Sequence, residues 1–447
     1  MLGSLLLFAA LSTSTVFSGD QPLPLRLEAP FNDLFDHAKD DTYAITGTLT
    51  VADEGHNTTV DVRISLRGNT SKLESECPFP KLKLEFPREP QDAPGPFAGL
   101  TSLKIGTHCG EETGDQLTRK FGRLPNQRSP FREAFVYRLL AALDVPALRA
   151  RPATITYHYT DARAGMSPPQ DVPIVRNAML LEGADEAVRR VGGRREIAED
   201  AFTNARSAFR ASDTIRLAFA EALIGNFDWC LKMAPDDSYR CDARHPLWNI
   251  LAANVDDAPA IPLMYDFDVA GIVSGRHPWF HDVFDTAFLP GSSERDIEVM
   301  AQLQRLRALF GRDDLDAARA AFGRRKAQAF EVLATAPLDA EGRNIAQQYL
   351  DAFYAQIESD ERFYRPVVTA RDARAYATAE GGEVCGRSDV IPTGTPVSAP
   401  LQNDGPRVQV MLLDAHWHWT ARAKCDPIHH GPVWIDAGAI GRDFPEK

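Results

Sequence analysis

The spacing of the apolar residues changes twice along this chain of 447 residues. Up to about residue 182, β-branched and apolar residues often alternate with polar ones, as over residues 82–86, which is typical of strands. Between about residues 197 and 360 the apolar residues follow the spacing of amphipathic helices. From residue 372 onward, short strand-like runs are separated by Gly, Pro, Asn and Asp. The sequence therefore predicts an α+β protein that ends in a small all-β module.

The same patterns place individual elements. We expect strands over residues 43–51, 59–66, 82–86, 154–159 and 178–182, and in the C-terminal module over 408–413, 416–421 and 433–435. We expect helices over residues 129–143, 214–224, 294–310, 314–334 and 341–358. Ser129 and Pro130 are an N-cap and a first-turn proline, whereas Gly225 and Asn226 end the helix that precedes them.

The charge of the chain limits its class of partner. Asp and Glu number 62 and Lys and Arg number 49, which gives a net charge of −13. A nucleic-acid binder needs a basic face that displaces phosphate counterions, so we expect no nucleic-acid partner. After the N-terminus no run reaches the ~18 apolar residues that span a bilayer, so we expect no transmembrane helix in the mature chain.

The N-terminus and the cysteines both suggest export. Residues 1–18 are apolar and small, and Val16 and Ser18 are small residues at a plausible cleavage site before Gly19, although no basic residue precedes Arg26. We therefore predict a signal peptide over residues 1–18 and a secreted or periplasmic protein. Six cysteines without a CxxC motif argue against a zinc thiolate site and favour disulfides between neighbours, with six free thiols in a cytosolic protein as the alternative. The expected pairs are Cys77–Cys109, Cys230–Cys241 and Cys385–Cys425.

Acidic and amide residues follow two predicted elements between residues 223 and 268. A helix ends in Gly225-Asn226-Phe227-Asp228-Trp229, Asn249 follows after a loop, and an apolar strand runs into Asp266-Phe267-Asp268. Phosphoryl transfer from a Mg-nucleotide needs such a set, because one carboxylate orients the acceptor while the Asn and the second Asp supply oxygen ligands. Asp268 lies two positions after Asp266 and points to the same side of an extended chain. The alternative is that these are ordinary turn and capping residues.

A phosphate site also needs a cation with an acidic partner. Lys83 lies in the strand over residues 82–86, and Lys81 and Lys104 are its rivals. Glu133 shares a helix face with apolar residues, so its carboxylate is directed inward and needs a cationic partner. The alternatives are a solvated strand face for Lys83 and a first-turn acid favoured by the helix dipole for Glu133.

Taken in order, these motifs resemble the secreted CotH-type (spore coat protein H) atypical protein kinases and their bacterial relatives. The resemblance covers residues 22–362 and rests on Arg67-Gly68-Asn69-Thr70, the strand over residues 80–86, Arg132-Glu133, Leu180-Leu181-Glu182, Gly225-Asn226-Phe227-Asp228-Trp229 and Tyr265-Asp266-Phe267-Asp268. It implies a two-lobed protein-kinase-like domain with a β-rich N-lobe and a helical C-lobe. The chain departs from the pattern in two places: the turn over residues 67–71 has one glycine where a phosphate loop usually has several, and the stretch between Asp228 and Asn249 is long and carries cysteines.

The resemblance also implies roles. ATP with Mg²⁺ or Mn²⁺ would bind in the cleft, and a phosphoryl or nucleotidyl group would pass to an extracytoplasmic protein or envelope target. Asp228 would be the catalytic acid. The implied metal ligands are Asn249 and Asp266, to which the spacing adds Asp268. Lys83 would bind phosphate with Glu133 as its partner, and Glu182 would lie near the hinge beside the adenine.

Residues 370–447 resemble bacterial SH3-type domains. They contain short strands, the run Gly431-Pro432-Val433-Trp434-Ile435 and a late turn at Gly438. Such domains in exported proteins often bind cell-wall peptides, so a cell-wall component is an expected partner. Trp417, Trp419 and Trp434 would line a groove or fill a core.

Two other functions stay open at this point. A kinase-like fold that has lost catalysis would act as a scaffold or cell-wall-binding protein, and nucleotide-dependent stabilisation distinguishes it from an enzyme. An envelope-associated metal hydrolase would use a histidine pair, and bound zinc would favour it. The candidate pairs are His277 with His281 and His416 with His418.

Overall fold

The computed structural model describes residues 15–53, 56–86, 95–161, 173–234, 245–275, 293–370, 373–384, 389–413 and 432–444. The chain divides into two compact units. The first unit comprises residues 1–120, 124–134 and 148–187, and the second comprises residues 121–123, 135–147 and 188–447. Strands dominate the first unit and most helices belong to the second, so the predicted α+β class is confirmed.

The first unit contains a closed barrel of seven strands in the order β1-β2-β3-β4-β5-β7-β6. Neighbouring strands are antiparallel, except that β6 closes the barrel by pairing in parallel with β1. The strands are β1 (Leu23–Ala29), β2 (Ala44–Asp53), β3 (His56–Leu66), β4 (Leu82–Glu85), β5 (Ser102–Gly106), β6 (Ala150–Tyr159) and β7 (Ile174–Leu181), and the short helix α1 (Phe31–Asp36) follows β1. Closure leaves no open sheet edge, which the strand pattern alone did not predict.

The barrel forms because alternate residues of its strands are apolar. In β4, Leu82 and Leu84 are buried while Lys83 and Glu85 are half-buried. The buried apolar residues of the strands form one cluster with Phe79 and Phe97. Val16 is fully buried in the same cluster, so cleavage before Gly19 would remove a side chain from this core.

The disulfide Cys77–Cys109 lies in the first unit, as the nearest-neighbour pairing predicts. Cys230 in the second unit is also disulfide-bonded. Cys241, Cys385 and Cys425 lie outside the described residues, so the other two predicted pairs stay predictions.

Two helices span positions at which the chain changes unit, α2 (Ser129–Ala142) and α3 (Ala184–Arg190). The second unit then contains α4 (Ala205–Ala208), α5 (Ala211–Leu223), α6 (Gly271–Ser274), α7 (Glu294–Leu306), α8 (Arg312–Arg324), α9 (Lys326–Thr335), α10 (Ala340–Ile357) and α11 (Asp360–Phe363). The single helix predicted over residues 314–334 is wrong, because the backbone leaves helical geometry at Arg325, between α8 and α9. Gly323, a weak helix former, lies two residues before this break.

Short strands in the second unit place the polar loops. The strands are β8 (Arg195–Glu196), β9 (Cys230–Leu231), β10 (Leu247–Trp248), β11 (Ile250–Asn254) and β12 (Ile261–Met264). β11 pairs antiparallel with both β12 and β8, and β9 pairs with β10. The ladder between β11 and β12 starts with Ile250 opposite Met264, and the Tyr265 N–H continues it to the Asn249 carbonyl at 3.2 Å. The residues that follow β12 therefore lie beside the residues that precede β11.

The C-terminal part of the second unit is a small β module with its own apolar core. Its strands are β13 (Val367–Val368), β14 (Arg374–Thr378), β15 (Gly381–Glu383), β16 (Asp389–Val390), β17 (Gln402–Asp404), β18 (Arg407–Val410), β19 (Val433–Asp436) and β20 (Ile440–Gly441). The main sheet has the order β15-β14-β19-β18-β17. Met411 and Leu413 of this part pack with Ile297 and Met300 of α7.

None of the helices in the described residues combines the length and the apolar character that crossing a bilayer requires.

Candidate functional site

The segment that follows α5 is held by one buried asparagine. Gly225 has a left-handed backbone with φ +60°, which lets the chain leave the helix sharply. The Asn226 side chain, fully buried, donates from Nδ2 to Glu221 Oε2 at 2.9 Å and accepts from the Asp228 N–H at 3.0 Å through Oδ1. Asn226 therefore fixes the backbone at Asp228 from the end of α5.

Trp248 and Asn249, the two residues that precede β11, bind Asp228 directly. Asn249 Nδ2 donates to the Asp228 carbonyl at 2.6 Å and to Oδ2 at 3.2 Å. The Trp248 indole N–H donates to Oδ1 at 3.2 Å. Asn249 has a left-handed backbone with φ 57°, a conformation that costs free energy in a residue other than glycine. Asp228 and Asn249, which are 21 residues apart in the sequence, are thus in direct contact.

The turn after β12 presents Asp266 and Asp268. Asp266 is also left-handed, with φ 64°, and its N–H donates to the Tyr137 hydroxyl at 3.0 Å. Phe267 is buried and its ring centroid lies 4.8 Å from that of Tyr137. Asp268 is 8% exposed and accepts from Arg123 Nε at 2.9 Å.

The residues Asp228, Asn249, Asp266 and Asp268 are called the polar cluster below. Burial, together with the nearby carboxylates of Asp266 and Asp268, raises the pKa of Asp228 to about 6. Burial raises the pKa of the Tyr265 hydroxyl, and the negative charges of Asp266, Glu196 and Glu199 raise it as well. The structure therefore brings together the second-unit residues that the sequence nominated, and it places like charges next to each other.

The donor set of the polar cluster fits a hard divalent cation. It offers carboxylate oxygens and one amide oxygen, whose amide nitrogen is already used toward Asp228. In the part of the chain that the structure describes, no three His, Cys, Asp or Glu side chains form a preformed metal cage. Mg²⁺ usually takes only one or two protein carboxylates and completes its shell with water and substrate phosphates, so this arrangement suits Mg²⁺ better than zinc.

The candidate residues of the first unit have other surroundings. Lys83 Nζ pairs with Glu85 at 2.6 Å on a half-exposed strand face, opposite Lys104 of β5. Glu133 and Lys81 are each 5% exposed, so the rival Lys81 is the more buried lysine. Glu182 follows β7, and its Oε2 accepts from the Arg149 N–H at 3.0 Å.

Three residues that the sequence did not nominate for roles support the polar cluster. They are Arg123, Tyr137 and Trp248, which bind Asp268, Asp266 and Asp228 respectively. Only Trp248 had a local signal, since it adjoins Asn249. Arg123 and Tyr137 reach the cluster from more than a hundred residues away in sequence, and no spacing rule links them to it.

Several nominated residues lie outside the described residues, namely His277, His281, His416, His418, Trp417 and Trp419. Trp434 lies in β19 and is 8% exposed, which agrees with a core position.

Comparisons with known proteins give a distant structural likeness and no match in sequence. No family model and no curated protein matches the chain. Among solved structures, the Helicobacter pylori proinflammatory kinase CtkA is similar over 62% of this chain and 89% of its own, with a TM-score of 0.30 and 9% identity. At this TM-score the function has to be argued from the side chains of the chain itself.

Proposed function

We propose that this chain is a kinase-like transferase that uses Mg²⁺ and ATP to pass a phosphoryl or nucleotidyl group to an acceptor. The observation that carries the proposal is the convergence of Asp228, Asn249 and Asp266 from three separate segments, with two of the three in left-handed backbone. Left-handed backbone in residues other than glycine is uncommon and is enriched at functional sites, although an exposed turn such as that of Asp257 also adopts it. A set of ordinary turn residues would not need to bury and crowd its carboxylates.

Asp266 and the side-chain oxygen of Asn249 would hold Mg²⁺ or Mn²⁺, with Asp268 beside them. When bound, the ion neutralises phosphate oxygens of the nucleotide. Asp268 already accepts from Arg123, so it has less charge to offer a metal and would orient the loop. This division makes Asp266 the principal carboxylate ligand.

Asp228 would act on the acceptor. Its carboxylate would accept the proton of the acceptor hydroxyl as the acceptor oxygen bonds to phosphorus, while the bond between phosphorus and the leaving oxygen breaks. Trp248 and Asn249 fix both carboxylate oxygens, which leaves the group oriented before substrate arrives.

The roles of Lys83, Glu133 and Glu182 remain predictions. Because Lys83 pairs with Glu85 and Lys81 is nearly buried, we propose to compare both lysines as phosphate ligands. The variants Lys83→Met and Lys81→Met distinguish the two lysines. Only the substitution that removes the phosphate ligand should weaken ATP binding, and the melting temperature of each variant shows that it is folded.

Export and a cell-wall role belong to the same proposal. The disulfides at Cys77–Cys109 and Cys230 suit an oxidising compartment. The C-terminal β module is proposed to be an SH3-like domain that binds a cell-wall component. Pull-down of the whole protein on purified peptidoglycan tests this part.

The central experiment measures stabilisation by nucleotide. ATP with Mg²⁺ should raise the melting temperature of the parent, and Asp266→Ala should abolish that rise. Asp228→Ala should keep much of it and lose only transfer, because the acceptor-side acid matters chiefly in the transition state. Asp257→Ala is the matched control, since Asp257 is also left-handed (φ 51°) but lies in the exposed turn between β11 and β12.

Each outcome has a clear meaning. If the parent protein binds Mg-ATP but transfers no group to an acceptor, the inactive scaffold is favoured. Equal stabilisation of the parent, Asp266→Ala and Asp257→Ala would refute the metal site. Stoichiometric zinc in the purified protein, without any response to nucleotide, would favour the hydrolase.

A further inference from the structure

The phenol ring of Tyr349 in α10 fills the space beside two glycines. A methyl group on Gly225 would lie 2.3 Å from the ring carbon Cε1, and a methyl group on Gly271 would lie 1.8 Å from the hydroxyl oxygen. Such distances do not occur between real atoms, so both positions need glycine while Tyr349 is there. At Gly271 the need is one of space alone, because its backbone is not left-handed.

These glycines lie on the two segments that carry the carboxylates of the polar cluster. Gly225 opens the segment that leads to Asp228, and Gly271 closes the turn that carries Asp266 and Asp268. The Gly271 N–H donates to the Gly225 carbonyl at 3.0 Å, and the Ile272 N–H donates to the Ile224 carbonyl at 3.1 Å. The segments are thus joined at the point where Tyr349 touches both.

Tyr349 is itself fixed by a buried acid. Its hydroxyl donates to Glu298 Oε2 at 2.5 Å, and both side chains are fully buried. Arg295 lies 5.0 Å from the ring centroid and 3.5 Å from Glu298 Oε1, and it also donates to the Gly275 carbonyl just after α6. Arg295 and Glu298 are three residues apart on α7 and so share one face. The ring therefore has little freedom to move away from the glycines.

We infer that Tyr349, held by Glu298, is a positioning residue that sets the spacing between the segment of Asp228 and the turn of Asp266. The inference rests on the proposed function for its catalytic meaning. Metal and acceptor geometry tolerate errors of only about half an ångström, so a rigid contact behind both loops has a direct effect on the site. The hydroxyl binds Glu298 and lies against the two glycines, so Tyr349 would act on the polar cluster through the backbone.

The test compares two tyrosines of α10. Tyr349→Phe removes the hydroxyl that Glu298 holds, whereas the control Tyr354→Phe removes an equally buried hydroxyl that donates to the Phe322 carbonyl of α8 at 3.5 Å. Hydrogen–deuterium exchange on residues 222–229 and 264–273 reports the opening of the backbone hydrogen bonds that join the two segments. Tb³⁺ luminescence, excited through tryptophan and displaced by Mg²⁺, reports metal affinity.

Tyr349→Phe should speed exchange in both segments together and weaken Tb³⁺ binding on the order of tenfold, at a melting temperature close to that of the control. Tyr354→Phe should leave both readouts at parental values. Unchanged exchange in Tyr349→Phe, or equal loosening in Tyr354→Phe, overturns the inference.

A second variant covers the case in which Tyr349→Phe does not fold. Gly271→Ala displaces the hydroxyl from the opposite side and should loosen the same two segments. Exchange that rises in only one segment contradicts the joint role. If the parent binds neither Tb³⁺ nor Mg-ATP, the proposed function fails, while the exchange data still decide whether Tyr349 couples the segments.

Discussion

The interior of the seven-stranded barrel consists of apolar side chains, whereas the polar cluster and its partners bury the carboxylate of Asp268, two amides and an arginine. Among the described residues, none of the non-glycine residues with positive φ lies in a barrel strand, but Asn249 and Asp266 both belong to the cluster. The barrel is therefore stabilised by burial of its own residues, while the cluster depends on neighbours such as Asn226 and Tyr137 to impose its geometry.

We therefore expect substitutions in the barrel to lower the stability of the protein, and substitutions in the polar cluster to weaken the binding of Mg-ATP. A barrel residue contributes by removing apolar surface from water, so truncating it leaves a cavity. A cluster residue is held at a cost, so its removal can relieve strain or like-charge repulsion.

The largest effect is expected in the barrel. Leu84→Ala removes a fully buried side chain of β4 and should lower the free energy of unfolding by about 2–5 kcal/mol. Leu73→Ala makes the same change at a residue that is 44% exposed, and should stay within about 0.5 kcal/mol of the parent. Urea titration measures both. If Asp266→Ala lowers the free energy of unfolding more than Leu84→Ala does, the barrel is not the region that contributes more to stability.

The next largest effects are two opposite dependences of stability on pH, one in each unit. Burial lowers the pKa of His108 in the first unit to about 4, from 6.5, despite the opposing charge of Glu111 and with help from Arg176. The unfolded chain therefore binds the proton more readily, and this part of the stability is lost as the pH falls from 6.5 toward 4. His108→Gln should remove the loss.

Glu298 in the second unit behaves in the reverse sense. Burial raises its pKa to about 7, from 4.5, although Arg295 and the Tyr349 hydroxyl lower it and Glu294 raises it. The folded protein holds the proton, so the contribution of Glu298 to stability is fully present below pH 4.5 and is lost as the pH rises toward 7. Glu298→Gln should flatten this dependence. Thermal unfolding between pH 4 and pH 7.5 should show changes of the order of 1–3 kcal/mol for each variant, and equal signs would contradict the assignment.

A smaller effect tests the strain at Asp266. Asp266→Gly and Asp266→Ala both remove the carboxylate, but only glycine accepts φ 64° without cost. The glycine variant should be more stable than the alanine variant by about 1–2 kcal/mol, and neither should respond to Mg-ATP. Equal stabilities in urea titration would mean that the backbone relaxes and the turn is not strained.

The sequence predicted the parts of the fold that depend on local pattern. The alternation in residues 82–86 and the N-cap at Ser129 lead to β4 and α2 within a residue or two. The parallel pairing of β6 with β1 joins residues more than a hundred positions apart, and no local pattern encodes it. The break at Arg325 was missed because the apolar spacing continues through it.

The candidate site was predictable to a similar degree. Asp228, Asn249 and Asp266 were nominated because each follows the end of an element, and the ladder between β11 and β12 then brings Asn249 beside Tyr265. The partners that fix them were not predictable, since Arg123 and Tyr137 come from distant segments. The position of Lys83 beside Glu85 shows why strand alternation alone does not choose between Lys81 and Lys83.

The smallest effect concerns the hydrogen bond from Trp248 to Asp228. Trp248 is 43% exposed, so Trp248→Phe should change the free energy of unfolding by less than about 0.5 kcal/mol. The indole N–H stabilises the charged form of Asp228 and so lowers its pKa. Without it the pKa of Asp228 should lie above the parental value of about 6, which carboxyl ¹³C NMR of the metal-free protein measures. An unchanged or lower pKa in Trp248→Phe would show that the indole does not hold the carboxylate, and that Asn249 alone orients it.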